Sequence, residues 1–492
     1  MLPPLIQRQQ HKTRSRERGF TLALVAGAMV AMLGMAALSI DIGTLYQAKA
    51  EAQRAADAAA LAAARVISVS GITSDPSSGG SDGSWGDICG GAGSPATLTA
   101  TSVAQQNLIA GAAAATVNVT YGAGSAGGSN ANCALLGNAS TFGINPIVTV
   151  YVQRANLPIF FAKVFSLFPG VNYSGTGVSA TATAEVFNPS NSGNGAAVPV
   201  PVQPRCVKPW IIPNTNSSGT NKLVAYPSGK IFNEGISELT GGVVGQQIVL
   251  NADCNAASPS TSCMSAAFPP PKNPPVWNAT VTSGITTTLV YYVPALISGA
   301  PNAVPSCAAA TNPFQEAIAG CDQNTVYTCG TAATIPTSTR ADFTENPIYP
   351  SVLAGDTAAA AQCLINQANG QDSLTGWSLT TSPNFPFQIQ AGAGNPLVTA
   401  GIVASNEIVT TSNSVVTLPI AEYYAAALNT AVTQPNVTIV GFAQVFITDV
   451  DGTGNVNGIV LNISGCGDSV PSTAVPVYGT SPVPIRLITP PS

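Results

Sequence analysis

The chain has 492 residues, room for two to four domains at about 100–200 residues each. Only 8% are charged, against roughly 25% in ordinary soluble domains, so hydroxyls, amides and backbone must cover the surface. Such a surface suits an exported structural protein and argues against a cytosolic enzyme. Residues 66–492 hold nine basic and 18 acidic side chains, net −9, which leaves no basic stripe for nucleic acid.

The chain opens on a basic stub, residues 1–18, with Arg8, Lys12, Arg14, Arg16 and Arg18. Gly19–Ile40 follows, 22 residues without a charge. At about 1.5 Å per residue this run spans ~33 Å as a helix, the thickness of a bilayer's hydrocarbon core. Few positive charges follow it, so the positive-inside rule places the N-terminus in the cytoplasm and the rest of the chain outside. The lipid bilayer is therefore the first expected partner. Ala37-Leu38-Ser39 has the small-x-small form of a signal cleavage site, but the run is longer than the usual signal core of ~7–15 residues. A retained anchor is the expectation. Ala23, Gly27, Ala31 and Gly34 share one side of the run. They read either as a packing face for a partner helix or as ordinary Ala/Gly-rich membrane composition.

Residues 41–66 are dense in alanine, the strongest helix former, with neither Pro nor any Gly after Gly43. The apolar helix is expected to continue through them. Glu51, Arg54 and Asp57 are spaced i,i+3 for pairing on an exposed face.

The residues Arg18-Gly19, the apolar run, Asp41-Ile42-Gly43, Tyr46 and Gln53-Arg54-Ala55-Ala56-Asp57-Ala58-Ala59-Ala60-Leu61-Ala62 match a known order and spacing. This segment resembles the TadG-like N-terminal module of Tad (Flp) pilus assembly proteins. The resemblance implies a bitopic assembly component whose partners are other Tad/Flp proteins. Gly19-Phe20-Thr21-Leu22 is similar to a prepilin junction. Leu24, however, stands where pilins carry Glu, so processing as a pilin subunit is not expected. Some longer TadG proteins carry a von Willebrand A domain with an Asp-x-Ser-x-Ser motif, which this sequence lacks. A further likeness to Tad-type proteins lies in Asn156–Val186, an aromatic-rich stretch followed by Val-Ser-Ala-x-Ala-x-Ala.

Residues 67–187 read as a small α+β unit. Strands are expected at Ala115–Tyr121, Pro146–Gln153 and Gly177–Phe187, a short helix at Pro158–Phe168, and loops at Ser77–Ser94 and Gly122–Ser129. Residues 188–204 are a Gly/Ser/Pro linker. Residues 205–492 read as a β-rich, disulfide-braced domain. Its strand candidates are Gln246–Leu250, Thr286–Val293, Ser414–Leu418, Val437–Thr448 and Gly458–Ile463. Short helices are expected at Ala358–Gln367 and Ile420–Thr430, and a polyproline loop at Phe268–Pro275.

All ten cysteines lie beyond the anchor: Cys89, Cys133, Cys206, Cys254, Cys263, Cys307, Cys321, Cys329, Cys363 and Cys466. An even number on one side of a membrane segment points to disulfides in an oxidising compartment. Cys89 and Cys133, the two in the first external unit, are expected to pair.

The sole histidine, His11, lies in the stub, so Ser-His-Asp, Cys-His and His-zinc chemistry is unavailable outside the membrane. No Gly-Lys-Ser/Thr phosphate loop occurs, and neither nucleotide nor any other cofactor is expected. Asp449 and Asp451 open a string like a calcium loop, but Val460 stands where a bidentate Glu is needed. A polar hairpin turn is the plainer reading. With the resemblance to TadG-like proteins, these features imply a non-catalytic, membrane-anchored pilus assembly component. The alternative is an exported adhesin or binding module displayed on the same anchor.

Overall fold

The computed structural model describes residues 14–74, 86–123, 129–136, 145–157, 160–161, 177–188, 202–214, 223–224, 245–252, 277–282, 285–295, 297, 313–325, 327, 349–375, 387–422, 438–465 and 477–489. The chain divides into two units. One comprises Met1–Ala56, Ala104–Val117 and Tyr151–Thr181; the other comprises Asp57–Val103, Asn118–Val150 and Ala182–Ser492.

The first element is α1, Arg14–Val69, a helix long and apolar enough to cross a membrane. Its 56 residues contain no proline to interrupt the hydrogen-bond ladder. From Phe20 to Ile40 no side chain is buried; Leu33, for example, is 71% exposed. Burial begins at Asp41 and recurs at Ala48, Ala52, Ala55, Ala56, Ala59, Ala60, Ala63 and Ala64. That three-and-four spacing gathers the alanines on one helix face.

Two helices follow, the first inside the expected Ser77–Ser94 loop and the second in a stretch where no element is expected from the sequence. One is α2, the single turn Gly86–Cys89; the other is α3, Pro95–Gln106. The start of α3 obeys the usual chemistry: Pro95 takes the first helical position, and the Ser94 carbonyl accepts the Leu98 amide at 2.9 Å. Its run of Thr, Ser and Gln gives no apolar period, which is why pattern reading passes over it.

Four strands form the first sheet: β1 (Thr116–Ala123), β2 (Pro146–Arg154), β3 (Val178–Val186) and β16 (Ile485–Ile488), in the order β1-β2-β3-β16. The last strand arrives from the far end of the chain. Ile485 pairs with Val186 and Ile488 with Thr183, so a strand from residues 205–492 completes a sheet begun before residue 188. The Arg486–Glu185 ion pair at 2.7 Å fastens that edge.

Both ends of the expected 188–204 linker make defined contacts. Asn188 is fully buried, and β4 (Val202–Pro204) pairs in parallel with β15 (Val477–Gly479). The residues between lie outside the described residues.

The largest sheet has seven strands: β5 (Trp210–Pro213), β12 (Val415–Glu422), β13 (Thr438–Val450), β14 (Val456–Gly465), β6 (Gln247–Ala252), β8 (Ile285–Pro294) and β7 (Trp277–Thr282), in that order. β5 also pairs with β8, at Trp210↔Pro294 and Ile211↔Val293. The strands from β5 to β8 thus close into a six-membered ring with β7 on the flank of β8, and closure protects otherwise open sheet edges. Alternation places Trp210 and Ile212 in one apolar cluster with Leu418, Ile420, Val445, Leu250 and Tyr292. Ile211 falls in another with Ala421 and Phe442. The helices Pro313–Ala319 and Tyr349–Leu364 add Phe314, Ile318 and Leu364 to the larger cluster.

The helix expected from Ile420 is a strand as far as Glu422, because its Ile and Ala continue the alternation of β12 opposite β13. The rest of that segment lies outside the described residues. So do the Phe268–Pro275 loop and all of Pro158–Phe168 except residues 160–161.

Candidate functional site

The part of α1 that follows the apolar run carries a collar of side-chain anchors, all within the first unit. Asp41 is only 3% exposed. Its Oδ1 accepts the backbone amide of Phe160 at 3.0 Å and its Oδ2 that of Phe161 at 2.9 Å. Two amides on one carboxylate form a charge-assisted pair, among the stronger hydrogen bonds a protein makes. Two turns on, Lys49 Nζ donates to the Ser179 carbonyl, and after a further turn Gln53 Nε2 donates to that of Thr181 at 3.3 Å. β16 reaches only residues 183–186 of β3, and α1 thus supplies donors to two carbonyls further back along that strand.

Glu51 completes the collar. Its Oε2 accepts the Ala110 amide at 2.7 Å, and its Oε1 accepts Gln47 Nε2 at 3.1 Å. The Ala110 amide and then Gln47 hold the Glu51 carboxyl below its ordinary value, with Arg54 adding to them against a small contribution from burial. Ala110 sits at φ 48°, a region that costs a residue with a Cβ about 1–2 kcal/mol, and the Glu51 bond offsets that strain.

The small residues of the span fit the same geometry. Gly27, Gly34, Asp41, Ala48 and Ala55 recur every seven residues, so they keep nearly one face of the helix. Below, that face is buried from Asp41 on; above, it is bare. A Cβ added at Gly27 or Gly34 meets nothing within 4 Å.

These positions lie inside one recognised segment. Residues 19–66 match the Tad family of Flp pilus-assembly TadE/G-like sequences. Neither a curated protein nor a solved structure matches the chain.

Within the TadE/G-like segment the signature residues divide by role. Asp41 and Gln53 hold backbone, Ala55, Ala56 and Ala59 are fully buried, and Asp57, Ala58 and Leu61 are half-buried. Gly43 is exposed, with open space around it. Arg18 and Gly19 lie in the first turns of α1. Ala23 and Ala31 are exposed along the bare stretch.

The end of the segment is fixed inside the second unit by buried polar groups. Asn462 of β14 donates from Nδ2 to the Ser68 carbonyl at 2.9 Å and to Thr73 Oγ1 at 3.0 Å. Asn188 Nδ2 donates to the carbonyls of Thr73, at 3.2 Å, and Ile463, at 2.9 Å. All four polar side chains, Ser68, Thr73, Asn188 and Asn462, are fully buried, and satisfied networks of this kind specify a unique packing. The sequence gives no local hint of this, because Asn462 is 394 residues from Ser68.

The second unit also contains a cavity of about 800 Å³ lined by Arg65, Lys208, Thr410, Ser412, Thr480 and the Cys206–Cys321 disulfide, among others. Lys208 Nζ donates to the carbonyls of Ile318 (2.7 Å) and Gly320 (2.6 Å), and more distantly to Ala317, where the helix Pro313–Ala319 ends. Burial pulls the Lys208 ammonium down to about 7 and the Arg65 guanidinium to about 10. Lys208 thus satisfies helix-end carbonyls that would otherwise be buried without a donor.

Cys89 and Cys133 form a disulfide with their Cα atoms 5.5 Å apart, and Cys206 bonds Cys321. Cys363 is also disulfide-bonded. Cys254, Cys263, Cys307, Cys329 and Cys466 lie outside the described residues.

The candidate calcium loop is a tight turn between β13 and β14. Asp451 Oδ1 accepts from Thr453 Oγ1 (2.7 Å) and from the amides of Thr453 (2.9 Å) and Asn455 (3.0 Å), while Oδ2 accepts Asn455 Nδ2. Burial raises this carboxyl, but the donors of Thr453 and Asn455 outweigh it and leave the group below its ordinary value. Asp449 instead accepts Gln367 Nε2 at 2.9 Å. The two carboxylates serve different partners, and among the described residues no group of three or more His, Cys, Asp or Glu could hold a metal.

Proposed function

We infer that this chain is a membrane-anchored, non-catalytic component of Tad/Flp-type pilus assembly or anchoring. It acts by protein–protein contact, with its N-terminus in the cytoplasm and the bulk of the chain on the outer side of the inner membrane. One coincidence carries this reading. The segment that matches the TadE/G-like family is a helix whose apolar residues 20–40 are bare and whose burial starts at Asp41, the first residue after the apolar run. A bare helix of that length needs lipid or helical partners around it, because water would face some twenty apolar side chains. The bare small face at Gly27 and Gly34 supports close packing with a partner helix. The basic residues before Gly19 support the orientation.

The test is piliation of the host bacterium. Removing the chain should abolish surface pili seen by electron microscopy, and restoring the full chain should bring them back. A chain lacking residues 19–40 but exported by a cleavable leader should fail. Unchanged piliation without the chain would overturn the reading and favour a binding module displayed on the same anchor.

A further inference from the structure

We propose that the loop at Phe160–Phe161 is a second membrane contact, an aromatic foot that Asp41 sets at the outer boundary between lipid headgroups and acyl chains. This rests on α1 crossing the bilayer.

The argument begins with height. Asp41 directly follows Ile40, the last residue of the uncharged run. Both of its carboxylate oxygens are taken by the amides of Phe160 and Phe161, at 3.0 and 2.9 Å. The loop backbone is therefore pinned level with the outer end of the span. If residues 20–40 fill the hydrocarbon core, residues 160–161 lie at its surface.

Next comes chemistry. Phe160 is 62% exposed and Phe161 44%, while Leu157 just before them is buried. Two large exposed rings on a backbone tied to Asp41 are unfavourable in water. At the boundary between headgroups and acyl chains they are an asset, since apolar side chains such as Phe bury there. Tyr46, 74% exposed, lies five residues along α1 from Asp41, about 7.5 Å further out, and would add its phenol to the same belt.

Lipid is favoured over a protein partner by continuity. Asp41, which ties the loop backbone, stands between Ile40 and Ile42, both exposed on the helix that enters the membrane, so the loop is tied to α1 where its exposed apolar run ends. The device also gives Asp41 a role: it converts a single flexible tether into a two-point attachment that fixes the tilt of α1 against the membrane surface.

The experiment uses the full chain in phosphatidylcholine vesicles whose acyl chains carry bromine either near the headgroup, at carbons 6 and 7, or deep, at carbons 11 and 12. Phe160→Trp and Val30→Trp are compared with the parent chain, and only the emission each adds is read. The Phe160→Trp emission should fall about two-fold or more with shallow bromines and less with deep ones. Val30→Trp, at mid-span, should show the reverse order. Adding Asp41→Ala to Phe160→Trp should weaken the shallow quenching. If Val30→Trp is quenched and Phe160→Trp is not, the foot is refuted while the anchor stands. A red-shifted Phe160→Trp emission would then mean water, and a blue-shifted one a protein contact. If neither is quenched, the membrane-spanning reading fails and takes the foot with it.

Discussion

Replacing Asp41 with alanine isolates the bond pair on which the collar depends. Asp41→Ala removes both acceptors of the Phe160 and Phe161 amides, at 3.0 and 2.9 Å, from a site only 3% exposed. Hydrogen bonds to a charged group contribute about 1.5–3 kcal/mol each. The two share one carboxylate and will not add fully, so a loss of about 3 kcal/mol in local opening free energy is expected. At about 1.4 kcal/mol per factor of ten, that is roughly 150-fold. Amide hydrogen exchange followed by mass spectrometry on the membrane-reconstituted chain reads this directly, in peptides covering residues 157–163. Asp41→Asn, which keeps one acceptor and loses the charge, should fall between wild type and alanine. Exchange should stay unchanged at Asn462, which lies in the other unit. Equal exchange at residues 160–161 in wild type and Asp41→Ala would refute the argument, since it would mean the two bonds hold nothing in place.

Three further outcomes follow from other parts of the structure. Burial lowers Lys208 from 10.5 to about 7, so between those values the unfolded chain binds a proton that the folded chain does not. Stability should therefore rise with pH across that window, by up to about 1.4 kcal/mol per unit, and Lys208→Met should remove this slope in urea unfolding at pH 7.5 to 9.5. Asn462→Ala deletes the donor to the Ser68 carbonyl and Thr73 Oγ1; it should cost about 1–3 kcal/mol and speed amide exchange at residues 65–74. Unchanged exchange there would count against the buried network. Gly27→Leu meets no atom of its own chain within 4 Å, so it should leave folding and insertion intact while lowering crosslinking to other Tad/Flp components; equal yields would reduce the span to a plain anchor.

Local patterns in the sequence carried a good part of the fold. The uncharged run and the alanine-dense stretch after it mark α1, and alternation marks β2, β6, β8, β13 and β14 within a few residues. What stayed hidden is non-local. β5 is four residues, Trp210–Pro213, too short and too apolar to show a period, yet it closes the ring by pairing with both β12 and β8. β16 joins β3 across some three hundred residues, and no turn signal announces such a pairing. α3 was hidden by its Thr and Ser content, although Ser94-Pro95 marks its start.

The candidate site was legible in the same uneven way. The spacing of Asp41, Gln53, Ala55 and Asp57 identified the segment, but only the fold gives the reason for two of them: Asp41 and Gln53 are ties to loop and strand backbone. Asn462, Asn188 and Lys208 had no signal, because their partners are carbonyls and hydroxyls brought close by the fold alone.

The central claim is that the bare helix is kept in the mature protein as a membrane anchor. Its most direct test is the N-terminal mass of the chain recovered from alkali-washed membranes of the host. The account predicts that the protein stays in the membrane pellet with Arg14–Arg18 still attached ahead of Gly19. A mature terminus at Phe20 would mean pilin-type processing, and one just after Ser39 in the soluble fraction would mean a discarded signal; either would contradict the account.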